Sequence, residues 1–493
     1  VKNEDPGSRF AKDFFSKFVG FSIPTWVSFF LSFLSVPITT RLFLPEEVGK
    51  INLFATYLTL IHLLALLGLD QSFIRFFNEP PSENDKNSLM LICLMFASVS
   101  FVVVSFFLFL FFPQVSMEIS GEVNLLISIC LSLSLIANIM MRYVGLYFRM
   151  ENNIFLYSLQ AILFTFIARL FYIVVALWKP THQYAIISST IGYCLLAIIF
   201  SIVIIKLKFK GRVNSKITLD KATIIDLFGF GLPLLPISLL SWLNNSLSSF
   251  LLHRYVSYSA IGIYTNAVAV AGIIGLVQAG FSTYWAPFIY ANYQTEKENI
   301  AKVHRMITFL ITAFGLIIIL AQDLIYLLVG TSYRESRVFF PLLLLSPICY
   351  TIAETTGMGI EISKRSYLNI YVFLSSVGLN LLMSVVLMPH IGAIGAAIAS
   401  GASSILMFTL KSLIGQKYYK TELNYFKTIA SILIIVVASI VNLLFIDSIT
   451  SRNLVILFLL FVLCLIWKTE LLFAIKFGLS LVVPVGNTRS NDR

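Results

Sequence analysis

The sequence predicts an all-α integral membrane protein of about fourteen transmembrane helices, arranged as two pseudo-symmetric six-helix lobes plus two C-terminal helices. Three observations carry this expectation. Hydrophobic residues make up 58% of the chain and charged residues 12%, with a mean hydropathy of +0.89. So few charges do not cover a water-exposed surface. Apolar runs of roughly 20 residues recur along the chain, continuous rather than alternating, which suits spanning helices and not barrel strands. Finally, the chain repeats itself.

The repeat relates Phe18–Phe54 to Phe228–Tyr264. The first copy runs F-V-G-F-S-I-P through an apolar helix to Arg41 and then Val48-Gly49; the second runs F-G-F-G-L-P to Arg254 and then Ile261-Gly262. Gly20, Phe21 and Pro24 fall against Gly229, Phe230 and Pro233. After one short insertion, Arg41 and Gly49 fall against Arg254 and Gly262. Repeats of this kind in a bilayer form two helical bundles facing each other across a substrate path. A fainter echo aligns Arg169, Ala185 and Ser189 with Asn380, Ala396 and Ser400 at identical spacing.

Taken in order, the predicted spans are 15–37, 48–68, 88–112, 123–147, 154–178 and 184–206, which form an N-lobe over 1–206. A basic linker, 207–221, carries Lys208, Lys210, Arg212, Lys216 and Lys221. The second lobe, 222–415, holds 224–252, 260–290, 306–322, 337–355, 367–388 and 392–414. Segment 416–493 adds 426–446, the shorter 453–467 and a tail. The twelfth span opens G-A-I-G-A-A-I-A-S-G-A-S, small residues that let helices approach closely. Most of the 35 Lys and Arg fall in loops that share one side, while turns such as Pro113–Glu122 carry none, so both termini are expected in the cytoplasm. The net charge of +11 is therefore a topology signal and not a nucleic-acid surface. No cleavable signal peptide is expected. The five cysteines lie one per apolar segment and the five histidines are scattered, so neither disulfides nor a metal site is expected. There is no Gly-rich phosphate loop, and no cofactor or enzymatic activity is expected.

Several stretches together resemble the polysaccharide-flippase branch of the multidrug/oligosaccharidyl-lipid/polysaccharide exporter superfamily. They are V-P-I-T-T-R-L-F-L-P-E-E-V-G at 36–49, G-L-D-Q-S-F-I-R-F-F at 68–77, G-L-P-L-L-P at 231–236, I-G-I-Y-T-N-A at 261–267 and P-H-I-G-A-I-G-A-A-I-A-S at 389–400. The resemblance covers nearly the whole chain. It implies two lobes around a cavity that opens alternately to each side of a bacterial inner membrane. It also implies an undecaprenyl-diphosphate-linked oligosaccharide repeat unit (O-antigen, capsule or similar) as substrate. Membrane lipids, a polysaccharide polymerase and a chain-length regulator are the implied partners, and nucleic acid is not.

A flippase must hold a diphosphate-sugar headgroup inside the bilayer, which calls for cations and hydrogen-bond donors on the cavity wall. Arginine serves phosphate best. Arg169 lies within a span, where an arginine at the helix centre costs about 3 kcal/mol on insertion scales and so needs a partner; it either lines the cavity or snorkels to an interface. Arg41 and Arg254 end the first span of each copy, as headgroup contacts or as interface anchors. Arg142, with Arg149 beyond it, either anchors span four or attracts the headgroup. Asp70, with Arg75 as its local partner, and Glu354 are the ion-coupling candidates. Trp242, Asn245 and Asn266 are candidates for sugar recognition, with Asn244, Tyr264, Gln278 and Trp285 on the same two spans. Asn266 and Gln278 are expected on different faces of one helix. Two alternatives stand beside the flippase. A cation-coupled multidrug exporter would favour acids inside spans one or seven, which are missing; a membrane glycan polymerase or ligase would favour a long external loop, also missing. A scaffold for glycan assembly is a further, non-transport reading.

Overall fold

Among the described residues, helices and short helical turns are the regular structure, and local chemistry sets their ends. The computed structural model describes residues 26–28, 30–82, 84–209, 219–365, 367–421 and 425–472. Helix α1 (Trp26–Leu42) leads into α2 (Pro45–Leu66), and the chain then turns at Gly68, whose φ of +73° suits glycine, into the short α3 (Leu69–Phe76). Next come α4 (Lys86–Leu110), α5 (Phe112–Ser120), α6 (Leu125–Met150), α7 (Ile154–Ala176) and α8 (His182–Ile204). Side chains of Asp85, Asn124 and Asn153 accept from first-turn amides of α4, α6 and α7, which satisfies donors that a helix start leaves open. Asp220 caps α9 (Lys221–Gly231) in the same way. The hydroxyl and amide of Thr223, with the Ser82 hydroxyl, hold the Asp220 carboxyl below its usual range.

α10 (Leu235–Tyr255) precedes α11 (Tyr258–Ala271) and α12 (Ile273–Asn292), which meet at Gly272 with a bend of 51°. This bend corrects the single helix expected over 260–290. Asn266 and Gln278 sit on different segments, so their spacing on one ideal helix decides nothing. After α13 (Lys297–Leu320) and α14 (Gln322–Leu328), a 3-10 turn at Thr331–Val338 bends by 62° into α15 (Phe340–Thr356). α16 (Met358–Ile362), α17 (Leu368–Tyr418), α18 (Phe426–Leu444) and α19 (Ile449–Ile466) follow.

Among the described residues, ten helices are long and apolar enough to cross a bilayer, or twelve if each bent pair counts as one span. α17 accounts for part of the difference from fourteen. Its 51 residues would reach about 75 Å as one straight helix, more than twice a hydrocarbon core of about 30 Å. Ile391 and Gly392 leave helical dihedrals, and Gly392 takes φ +55°. The Ser376 hydroxyl then donates to the Ser403 carbonyl at 3.0 Å, and Gly395 sits against the Leu387 backbone. The element is therefore an antiparallel hairpin whose halves match the predicted 367–388 and 392–414. Residues 15–25 of the first predicted span, most of the basic linker and the tail beyond 472 lie outside the described residues.

Apolar side chains form two large cores. One draws on residues from Phe54 to Leu227, the other chiefly on residues from Leu252 to Trp467. α2 and α11 join them through a reciprocal contact. A Cβ on Gly49 would fall 1.9 Å from the Tyr258 carbonyl oxygen, and a Cβ on Gly262 would fall 2.0 Å from that of Pro45. Between them Asn52 Nδ2 donates to Thr265 Oγ1 at 3.0 Å across 213 positions, the same offset that relates Gly49 to Gly262. We call this the Gly49 end of the bundle. At the opposite, Gly68 end, the backbones of Gly68 and Gly231 touch, and Ser72 donates to the Leu227 carbonyl at 2.6 Å.

Helices α18 and α19 are fixed at both ends. Arg452, fully buried, pairs with Asp323, which also takes Arg337 Nη1 at 2.9 Å. Asn442 Nδ2 donates to the Val338 carbonyl at 2.8 Å. At the other end Glu470 meets Arg305 at 3.7 Å and Lys427 at 3.8 Å, and Trp467 donates to Ser431 Oγ at 2.9 Å.

Candidate substrate site

Two adjoining cavities lie among the helices. The larger, of about 660 Å³, is enclosed by α1, α2, α7, α8, α11 and α12 in the half of the bundle nearer the Gly49 end. Its wall mixes hydroxyls and amides with apolar side chains, and Arg169 is the only charged residue lining it among the described residues. Many of these hydroxyl protons are already spent. Thr40 donates to the Val36 carbonyl at 2.8 Å and Thr265 to the Ile261 carbonyl at 2.8 Å. Such groups offer lone pairs, hence acceptors, to a ligand. Asn266 is buried at 5% exposure; its Nδ2 donates to Ser336 Oγ at 3.0 Å and its Oδ1 has no partner among the described residues. Arg169 is exposed and forms no ion pair among the described residues. A wall rich in acceptors, with one guanidinium, suits a ligand that donates hydroxyls and carries negative charge.

The smaller cavity, of about 450 Å³, lies between α6 and α7 toward the Gly68 end and shares Phe164 and Thr165 with the first. Arg142 and Arg149 line it. Arg142 donates through Nε at 3.1 Å and Nη2 at 2.6 Å to a single oxygen of Asp70, which is buried at 7% exposure. This corrects the local partner expected for Asp70: Arg75 instead faces Glu79 at 4.0 Å.

The remaining predicted residues stand outside both cavities. Arg41 and Arg254 are exposed in the last turns of α1 and α10, at the Gly49 end; Arg41 reaches the Leu327 carbonyl at 3.5 Å. Both positions complement a helix C-terminus. Trp242 packs on Phe250 at 5.6 Å, and its Nε1 is buried without a partner among the described residues. Asn245 donates to its own helix at Ser241. Glu354 is held between α12 and α15: Ser282 donates to its Oε2 at 2.5 Å, and Trp285 donates to its carbonyl at 3.0 Å. The structure thus brings Arg169 and Asn266 to one cavity and sets Arg142, with Asp70 behind it, on the other. Residues the sequence did not single out are Asn52, Thr165, Gln160 and His62, lone polar groups whose place in a wall depends on tertiary packing.

Residues 21–291, more than half of the chain, match the family described as "Polysaccharide biosynthesis protein". The chain belongs to this polysaccharide biosynthesis family. The region of this family covers the whole N-terminal core, both cavities except Tyr333, and the α2–α11 contact. A comparison with curated proteins finds no match. Solved structures share the fold. One described as "Lipid II flippase MurJ, inward closed conformation" is 15% identical, with a TM-score of 0.60 over 94% of this chain and 99% of that one. A ligand-bound structure of the MATE multidrug transporter DinF-BH is 13% identical, with a TM-score of 0.56 over 82% and 96%. An inward-facing multidrug resistance MATE transporter of the MOP superfamily is 17% identical, with a TM-score of 0.52 over 81% and 97%.

Proposed function

We propose that this polysaccharide biosynthesis protein is a flippase. It moves a polyprenyl-diphosphate-linked oligosaccharide repeat unit, of O-antigen, capsule or similar type, from the cytoplasmic to the external leaflet of a bacterial inner membrane. The observation that carries the reading is the larger cavity, in which Arg169 is the sole charge among the described residues, within a wall where hydroxyls and amides alternate with apolar side chains. A sugar headgroup finds acceptors there, and its phosphate finds a cation where an unpaired anion would otherwise be too costly. No bond is broken, so no catalytic group is needed. The family match and the fold shared with a lipid II flippase support the same class.

In this reading 1–206 and 222–415 are two lobes joined by the linker 207–221, and 416–493 adds the two extra helices. The Gly68 end, which carries Lys206, Lys221, Lys364 and Arg365, faces the cytoplasm with both termini. The Gly49–Gly262 contact closes the external end, and breaking it opens the cavity outward. Asp70 and Glu354 are the groups proposed to couple an ion to this cycle. Arg41, Arg254, Trp242 and Asn245 enter the path only as the lobes rearrange. A polymerase and a chain-length regulator are proposed as assembly partners. The multidrug-exporter alternative shares the fold, yet a cavity whose one charge is a cation repels cationic drugs.

Sidedness of the lipid-linked glycan tests the proposal. In a host lacking the gene, an impermeant glycan-modifying enzyme added outside the inner membrane is expected to miss the lipid-linked repeat unit. Wild type restores access and Arg169→Ala does not. Equal access without the protein sinks the reading.

A further inference from the structure

The smaller cavity is a chamber with its own charge. Arg142 lines it with 39% side-chain exposure, while Asp70 behind it has 9%, so the ion pair turns its cation toward the chamber and its anion into the protein. Both Arg142 bonds to Asp70 use the Nε–Nη2 edge and converge on Oδ2; the Nη1 edge has no partner among the described residues. Arg149, two turns along α6 on the same wall, forms no ion pair among the described residues. His62 Nε2, on the same lining, is buried without a partner among them. No acid lines the chamber among the described residues. Gln160 fixes the α6–α7 wall by donating to the Met141 carbonyl at 2.6 Å, so the arginines sit on a braced surface. Where the chamber adjoins the larger cavity, Thr165 donates to Ser28 Oγ at 3.0 Å and closes the junction between α7 and α1.

We infer that this chamber is a second anion site, distinct from the Arg169 cavity, that takes a phosphate or diphosphate group on the Nη1 edge of Arg142 and on Arg149. Asp70 is a positioning residue: it holds the guanidinium with a free edge outward and makes no contact with the ligand. The two chambers then form successive stations, with the Thr165–Ser28 contact between them. The inference rests on the flippase reading for what the anion belongs to, and on the charge geometry for where it binds.

The test uses the full chain purified in detergent, with Ala161→Cys as a reporter in the chamber wall and a water-soluble thiosulfonate as the label. Inorganic diphosphate and farnesyl diphosphate are the two probes. Either probe is expected to slow labelling, and Arg149→Gln is expected to raise the concentration needed at least tenfold. Because removing Arg142 alone strands a buried carboxylate, the second variant is the charge-neutral pair Asp70→Asn with Arg142→Gln, for which the same shift is expected. Protection by both probes, or by inorganic diphosphate alone, supports a site that reads the phosphate group itself. Protection by farnesyl diphosphate alone supports a site that reads a lipid headgroup. No protection by either, or protection unmoved by both variants, overturns the inference. Labelling requires no flipping, so a protein that flips without protection fails this inference alone, and one that is protected without flipping fails the functional reading alone.

Discussion

Which charges lack a partner separates the residues that hold the protein together from those that face a ligand. Arg452 is fully enclosed and tied to Asp323; Arg169 faces a cavity with no acid on its wall among the described residues. Two substitutions should therefore behave in opposite ways. Arg169→Gln is expected to slow flipping about tenfold to hundredfold, the span of a charged hydrogen bond worth about 1.5–3 kcal/mol. Its thermal midpoint in detergent should stay at the wild-type value, and Arg169→Lys should recover part of the rate. Asp323→Asn leaves Arg452 buried without a carboxylate, a loss of about 3–5 kcal/mol; a clearly lowered midpoint in the same melt checks it. Only the first of these residues was legible in the sequence. Arg169 stands alone within an apolar run, whereas Arg452 lies near a helix start with its partner 129 positions away. The Asp70–Arg142 pair, 72 positions apart, was hidden for the same reason.

Between elements, the contact of α2 with α11 is set by two glycines whose equivalence the repeat had announced. What the repeat does not contain is that each glycine meets the other copy's backbone, because a one-dimensional match carries no facing. The contact leaves no room for a side chain: at 1.9 and 2.0 Å, an added Cβ overlaps a carbonyl oxygen. Gly49→Val or Gly262→Val must part the two helices at their starts. Either variant is expected to raise thiol-reagent access to Thr39→Cys, in the larger cavity, severalfold from the Gly49 side; unchanged access would show that this contact does not close that end. The hairpin in α17 gives a second case of partial legibility. The small-residue run at 392–403 predicted close approach, and the fold uses it at Gly395 and Gly401. The bend at Gly272 was missed, since glycine inside an apolar run reads equally as helix.

For the molecule as a whole, the two chambers and the Gly49–Gly262 contact acquire a direction only through topology. Lysines and arginines concentrate at the Gly68 end, and retention of such residues on the cytoplasmic side is a strong orienting rule for helical membrane proteins. If that end is cytoplasmic, a headgroup meets Arg149 and Arg142 first and Arg169 deeper, and the reciprocal glycine contact is the external barrier. Helices α18 and α19, pinned by Arg452 at one end and Glu470 at the other, then travel with the second core as one body. Reporter fusions decide the direction. A phosphatase that is active only outside the membrane should work when fused after Phe445, in the α18–α19 turn, and stay silent after Arg365, between α16 and α17. The reverse pattern would invert the order of the stations: Arg169 would receive the headgroup, Arg142 and Arg149 would release it, and the proposed direction of flipping would fail while the anion chemistry of both chambers stood.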